Sequence, residues 1–157
     1  MNPLHVDITD RTMLDRLLNR LSSGAQPLWG RMTAQGMVEH LVESVECTNG
    51  KRTVALPRSA EQALKEKWSK VTIAFEIPRN AEGALSSIIG RERCQTLGEA
   101  LALLNRELDE FERYFSVSGR TAVHGTFGPM NHREWVLWHG KHLGHHFRQF
   151  GMMETAG

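Results

Sequence analysis

The chain has little cysteine, no surplus of either charge and no long apolar run, and each shortage removes a class of protein. Two cysteines, Cys47 and Cys94, in 157 residues are too few for a disulfide framework. Both are expected to stay thiols in a reducing compartment. The formal net charge is only +1, from 19 basic and 18 acidic residues interspersed along the sequence, so there is neither a basic stripe for nucleic acid nor an acidic tail. Nucleic acid is therefore not an expected partner. No run of about 18 apolar residues is present to cross a bilayer. The opening MNPLHVDITDRTMLDR lacks the charged-then-apolar build of a signal peptide, so a cytoplasmic protein without membrane association is expected. No internal repeat or low-complexity segment divides the chain. A hydrophobic fraction of 40% over this length is enough for one buried core, and residues 1–157 are expected to form a single domain.

What is present is helical periodicity. Met13, Leu14, Leu17, Leu18 and Leu21 recur at three- and four-residue steps, predicting a helix from Thr9 to about Ser22 that Gly24 stops. Thr33 is an expected N-cap for a second helix with an inner stripe of Met37, His40 or Leu41, Ser44, Val45 and Thr48, ended by Asn49-Gly50. Ser59 with Gln62 reads as a capping box for a short helix through Trp68, and Thr96 with Glu99 repeats the pattern. Leu97, Leu101, Leu104, Leu108, Phe111 and Phe115 form the apolar edge of a long helix whose acids belong to its wet side. Asn131 with Glu134 caps a last helix that Gly151 follows. Two segments resist the pattern. Val71–Pro78 reads as a short strand or an extended cover, and the Gly- and Pro-rich His124–Pro129 reads as a tight loop. Four long amphipathic stretches without a convincing strand ladder predict an all-α antiparallel four-helix bundle with short extra elements between helices.

The last helix carries the chemistry. WVLWHGKHLGHHFRQFG, Trp135–Gly151, holds four of the eight histidines. At about 100° per residue, His142 and His146 fall roughly 40° apart and His139 roughly 60° from His142. Trp135, Trp138, Gln149 and Phe150 share that arc, with Gly140 and Gly144 on the far side, so the histidines point toward the core. Buried imidazoles side by side repel one another once protonated, and a divalent cation shared by neutral rings removes that conflict. A histidine on an apolar face is also often just a packed core residue with a hydrogen bond, and a pair at this spacing recurs by chance in His-rich chains. A pair leaves a metal underligated. His40, beside the Met37–Leu41–Val45 stripe, is the best third ligand, because an antiparallel neighbour can bring it against the middle of the last helix.

LWGRMTAQGMVEHLVES, followed about a hundred residues later by HLGHHFRQFG, resembles the DinB-like metal-binding four-helix bundles, in a branch known as a domain of unknown function. The resemblance runs from about Pro27 to Gly151. It implies His40, His142 and His146 as ligands of one divalent transition metal (zinc, nickel, iron or manganese), with Gln149 matching a trailing glutamine. It also implies that His124 and Phe127, in HGTFGPMNHREW, stand near the mouth of the site. Relatives often carry Arg directly after the last ligand, whereas Phe147 stands here and Arg148 follows.

An all-histidine triad keeps the ion's full charge and an open position, as catalytic sites do. Two chemistries follow: activation of water for hydrolysis, or binding of a low-molecular-weight thiol for transfer to a small-molecule substrate. His139 is the expected general base or orienting group. His145 is expected at the bundle edge in a structural role. Glu39 and Glu43 are candidate acceptors for an imidazole N–H, with a surface role as the plainer expectation. Cys47 reads as a small buried hydrophobe that could approach the site. A non-catalytic metal-binding scaffold or sensor is the competing expectation. A homodimer is compatible with the sequence, but no interface is legible in it.

Overall fold

In the computed structural model, which describes residues 4–79 and 91–154, the periodic stretches are helices. They are α1 (Arg11–Leu18), α2 (Ala34–Glu46), α3 (Ala60–Lys70), α4 (Leu97–Phe115) and α5 (His132–Gln149). A two-stranded antiparallel hairpin, β1 (Ala122–His124) and β2 (Gly128–Met130), lies between α4 and α5. The described chain is therefore mostly helical with one small sheet. None of its helices is long and apolar enough to cross a membrane.

Helix starts follow side-chain chemistry closely. Thr33 accepts from the Gly36 N–H, and Ser59–Gln62 and Asn131–Glu134 form complete capping boxes. The fourth start differs from expectation. Thr96 accepts from the Glu99 N–H, but the Glu99 carboxylate reaches past Thr96 to accept from the Gln95 N–H at 2.8 Å. α1 begins two residues later than expected, because Asp10 accepts from the Met13 N–H and caps it, and it ends at Leu18, four residues short of Ser22. α3 runs two residues past Trp68.

α2 packs against both α4 and α5. Its Met37, Leu41 and Val45 meet a fully buried core with Leu104, Leu108 and Phe111 of α4 and Leu143 and Phe147 of α5. Each such side chain contributes about 2 kcal/mol by leaving water. The polar exceptions on α2 and α5 are thus held in place by a core on either side of them in sequence.

The segment expected as a tight loop is a hairpin, with Val123 opposite Pro129 and His124 opposite Gly128. Gly128 at φ +72° supplies the left-handed backbone this return needs. Residues 71–78 form no strand. Their start is held instead by the buried Lys141 ammonium, whose three donors go to the carbonyls of Lys70, Val71 and Ile73, the first two at 2.7 Å. A cation at the C-terminus of α3 meets that helix's orphan carbonyls and ties α5 to it.

The far side of α5, read as glycine-bearing and outward, is covered. Val6 donates its N–H to the Gly140 carbonyl at 3.0 Å. A Cβ at Gly140 would stand 2.3 Å from the Val6 carbonyl oxygen, and one at Gly144 would stand 2.7 Å from that of Leu4. These two glycines make a flat track along which the N-terminal segment crosses the helix.

Candidate metal centre

His40 lies in the middle of α2, and His142 and His146 lie one turn apart on α5. The packing of these two helices brings a residue 102 positions away to the i, i+4 pair. The Nε2 atoms of His40 and His142 are 2.9 Å apart and those of His142 and His146 are 3.1 Å apart. One ring nitrogen from each of the three lies within 4.8 Å of the others. The rings meet edge to face, with centroids 4.8–4.9 Å apart. His40 and His146 are buried, whereas His142 keeps partial exposure.

The hydrogens of this cluster can be counted. Gln149 donates from Nε2 to the Trp29 carbonyl at 2.9 Å, which orients its amide and leaves Oε1 facing His146 Nδ1 at 2.7 Å. His146 therefore carries its proton on Nδ1, and Nε2 is a bare lone pair. A single N–H on His142 Nε2 can be aimed at only one of its two neighbours. If His40 donates to His142 instead, the His142–His146 contact becomes lone pair against lone pair. No placement of hydrogens makes both short contacts full hydrogen bonds.

Protonation does not relieve the conflict. Burial, more than the neighbouring histidines, pushes His40 down to about 4 and His146 to about 3, and lowers His142 well below the usual imidazole value of 6.5. Three neutral rings converging on one point suit a cation. A metal about 2.0–2.1 Å from each nitrogen sets adjacent donors about 2.8–3.4 Å apart for angles between roughly 90° and tetrahedral, a range that includes the two separations seen here. The donor set, neutral imidazole throughout, fits a first-row divalent transition ion.

His139 was expected beside the metal and not among its ligands. It is not one of the converging nitrogens. It is 1% exposed, with Nε2 3.0 Å from Thr48 Oγ1, its ring stacked on Trp135 and edge-on to Phe111. Burial holds it neutral, down to about 3. His145, expected partly exposed or hydrogen-bonded at the bundle edge, is buried, edge-on to Trp29 and to His146, and hydrogen-bonds the Ile77 backbone. His124 accepts from the Thr126 and Phe127 backbone N–H groups through Nδ1 and stacks on Phe127 at 4.2 Å. Both rings pack against Trp138, which precedes His142 by one turn.

The acids flanking His40 are engaged elsewhere. Glu39, expected at the surface, is 1% exposed and accepts from the Arg93 and Cys94 backbone N–H groups at 2.7 and 2.9 Å. Glu43 lies 4.0 Å from Arg52. His40 Nδ1 is buried without a hydrogen-bond partner. Cys47 is half-buried at the end of α2, and burial raises its thiol above the usual value. Thr48 and Trp29 are the residues sequence reasoning missed. Thr48 appears only as a stripe position, and Trp29 acts through a backbone carbonyl that no side-chain pattern reveals. Comparison of the chain with protein-family models, with curated proteins and with solved structures yields no match.

Proposed function

We propose that this protein holds one divalent transition metal at His40, His142 and His146, and uses it as an enzyme on a small organic molecule, by hydrolysis or by transfer of a low-molecular-weight thiol. The observation that carries this is the convergence of three Nε2 atoms, two of the pairs at 2.9 and 3.1 Å, in a set of hydrogens that cannot all be satisfied without a cation. The proposal includes the architecture: α1, α2, α4 and α5 as an antiparallel four-helix bundle of DinB-like type, supported by the packing of α2 on both α4 and α5.

Of zinc, nickel, iron and manganese, the first three suit an all-imidazole set, while manganese prefers oxygen ligands; such an ion would supply Lewis-acid activation of water or of a thiol. The chain's own residues do the rest. Gln149 orients His146, the apolar core excludes water from the His40 and His146 side, and His142 keeps the solvent-facing edge through which a substrate enters. Trp138, packed against Phe127 and His124, gives that entrance an aromatic flank.

A second reading, a metal-holding scaffold or sensor without turnover, is favoured by one observation. His139 is committed to Thr48, and among the described residues no carboxylate or thiol joins the three nitrogens as a ready base. Metal analysis of untagged, dialysed protein tests the shared claim. About one equivalent is expected in the wild type and almost none in His142→Ala; full occupancy in that variant would remove His142 as a ligand. Ester-hydrolysis and thiol-transfer assays on metal-loaded protein then separate the readings. Turnover lost in His40→Ala supports the enzyme, and no turnover with any of the four metals supports the scaffold.

A further inference from the structure

We infer that the Trp29–Gly30 turn, acting through Gln149, positions His146 so that Nε2 is the nitrogen it offers to a metal. This rests on the metal-binding reading above and extends it to residues outside the ligand set. Gln149 is 5% exposed and gripped twice by the segment between α1 and α2. Leu28 donates its N–H to the Gln149 backbone carbonyl at 2.7 Å, and the Trp29 carbonyl accepts from Gln149 Nε2 at 2.9 Å. The second bond decides the amide's orientation, since a carbonyl can only accept. The amide oxygen is then left for His146 Nδ1 at 2.7 Å.

The turn is built to stand this close. Gly30 has φ +80°, and a Cβ there would lie 2.9 Å from Gln149 Nε2. The backbone conformation strains any other residue there, and an added Cβ would push the Gln149 amide from its place. The Trp29 ring is fixed in turn, edge-on to His145 at 5.7 Å with the Arg79 guanidinium 4.4 Å from its centroid. The two tautomers of a neutral imidazole are close in free energy, so one buried hydrogen bond shifts their ratio by roughly tenfold. Trp29 and Gln149 are thus positioning residues. They never touch the ion, and they select the ligand atom and hold the ring toward it.

The test uses the intact protein with 15N-labelled histidine. In the metal-free wild type at about pH 7.5, His146 is expected to show a protonated Nδ1 and a bare Nε2 by NMR. Gln149→Leu is expected to lose that preference and bind zinc 10- to 100-fold more weakly, the usual cost of removing a group that orients a ligand. Gly30→Ala, pressing on the same amide, should weaken zinc binding in the same direction. Gln149→Glu keeps an oxygen for Nδ1 but loses the donor to the Trp29 carbonyl; it is expected to keep the proton on Nδ1, which a merely space-filling role for Gln149 would not produce. A wild-type His146 with a bare Nδ1, or Gln149→Leu binding zinc as tightly as wild type, would overturn the inference. If the wild type binds no metal, the metal reading fails separately, and the tautomer in wild type and Gln149→Leu still decides whether the turn controls His146.

Discussion

His139 and Thr48 share a 3.0 Å hydrogen bond between α5 and the end of α2. The Thr48 hydroxyl gives its own proton to the Val45 carbonyl at 2.8 Å, so its oxygen accepts and His139 carries its hydrogen on Nε2. That bond occupies the Nε2 hydrogen of His139 and ties its ring to the residue just past α2. His139→Ala is expected to keep stoichiometric metal and to lower stability by about 2–4 kcal/mol, from the cavity and the lost bond together. Metal analysis and denaturant unfolding check both. Once a substrate is known, a rate loss beyond about 100-fold in folded, metal-loaded His139→Ala would return it to the role of general base.

Acid should unfold the metal-free protein. Burial holds His139 down to about 3 and His124 to about 4, against an ordinary value of 6.5. Both are neutral when folded, and the unfolded chain binds more protons once the pH is below 6.5. Their stability contribution is therefore full above that value and is lost as the pH falls from about 6.5 toward 4 and 3, by about 2 kcal/mol for each at pH 5. Urea midpoints should be level between about pH 7 and 8 and lower at pH 5.5. A midpoint unchanged at pH 5 would mean these rings are solvated.

Gly140→Ala should be among the costliest single-methyl additions in this chain. The new Cβ would meet the Val6 carbonyl oxygen at 2.3 Å, a backbone atom that cannot swing away. A loss of about 1–3 kcal/mol is expected, with faster hydrogen exchange at the Val6 amide that now bonds Gly140. Wild-type stability in this variant would mean that the N-terminal segment does not lie on α5.

Lys141→Met keeps the stem and deletes the ammonium, leaving the Lys70, Val71 and Ile73 carbonyls without that donor. Destabilisation of about 2–4 kcal/mol is expected, since unmade buried hydrogen bonds cost more than made ones contribute. Early proteolysis near residues 70–73 should accompany it. A neutral substitution would show that water replaces the ammonium at these carbonyls.

Helices, caps and the inward arc of His139, His142 and His146 were legible in the sequence, because they depend on neighbours within four residues: periodicity sets which face is apolar, and Thr33, Ser59 and Asn131 set where helices begin. The hairpin was not, because β1 and β2 are three residues each and depend on pairing with each other. Nor was the flat track of Gly140 and Gly144, whose partner is a distant backbone. The arc also could not separate His139 from His142, only about 60° away on the helix. Tertiary structure decided that, by placing Thr48 against one ring and His40 against the other. The sequence determined which imidazoles face inward, while contacts spanning 91 and 102 residues determined which is tied to a hydroxyl and which converge. Local pattern sets a side chain's direction, but what stands opposite it depends on how the helices pack.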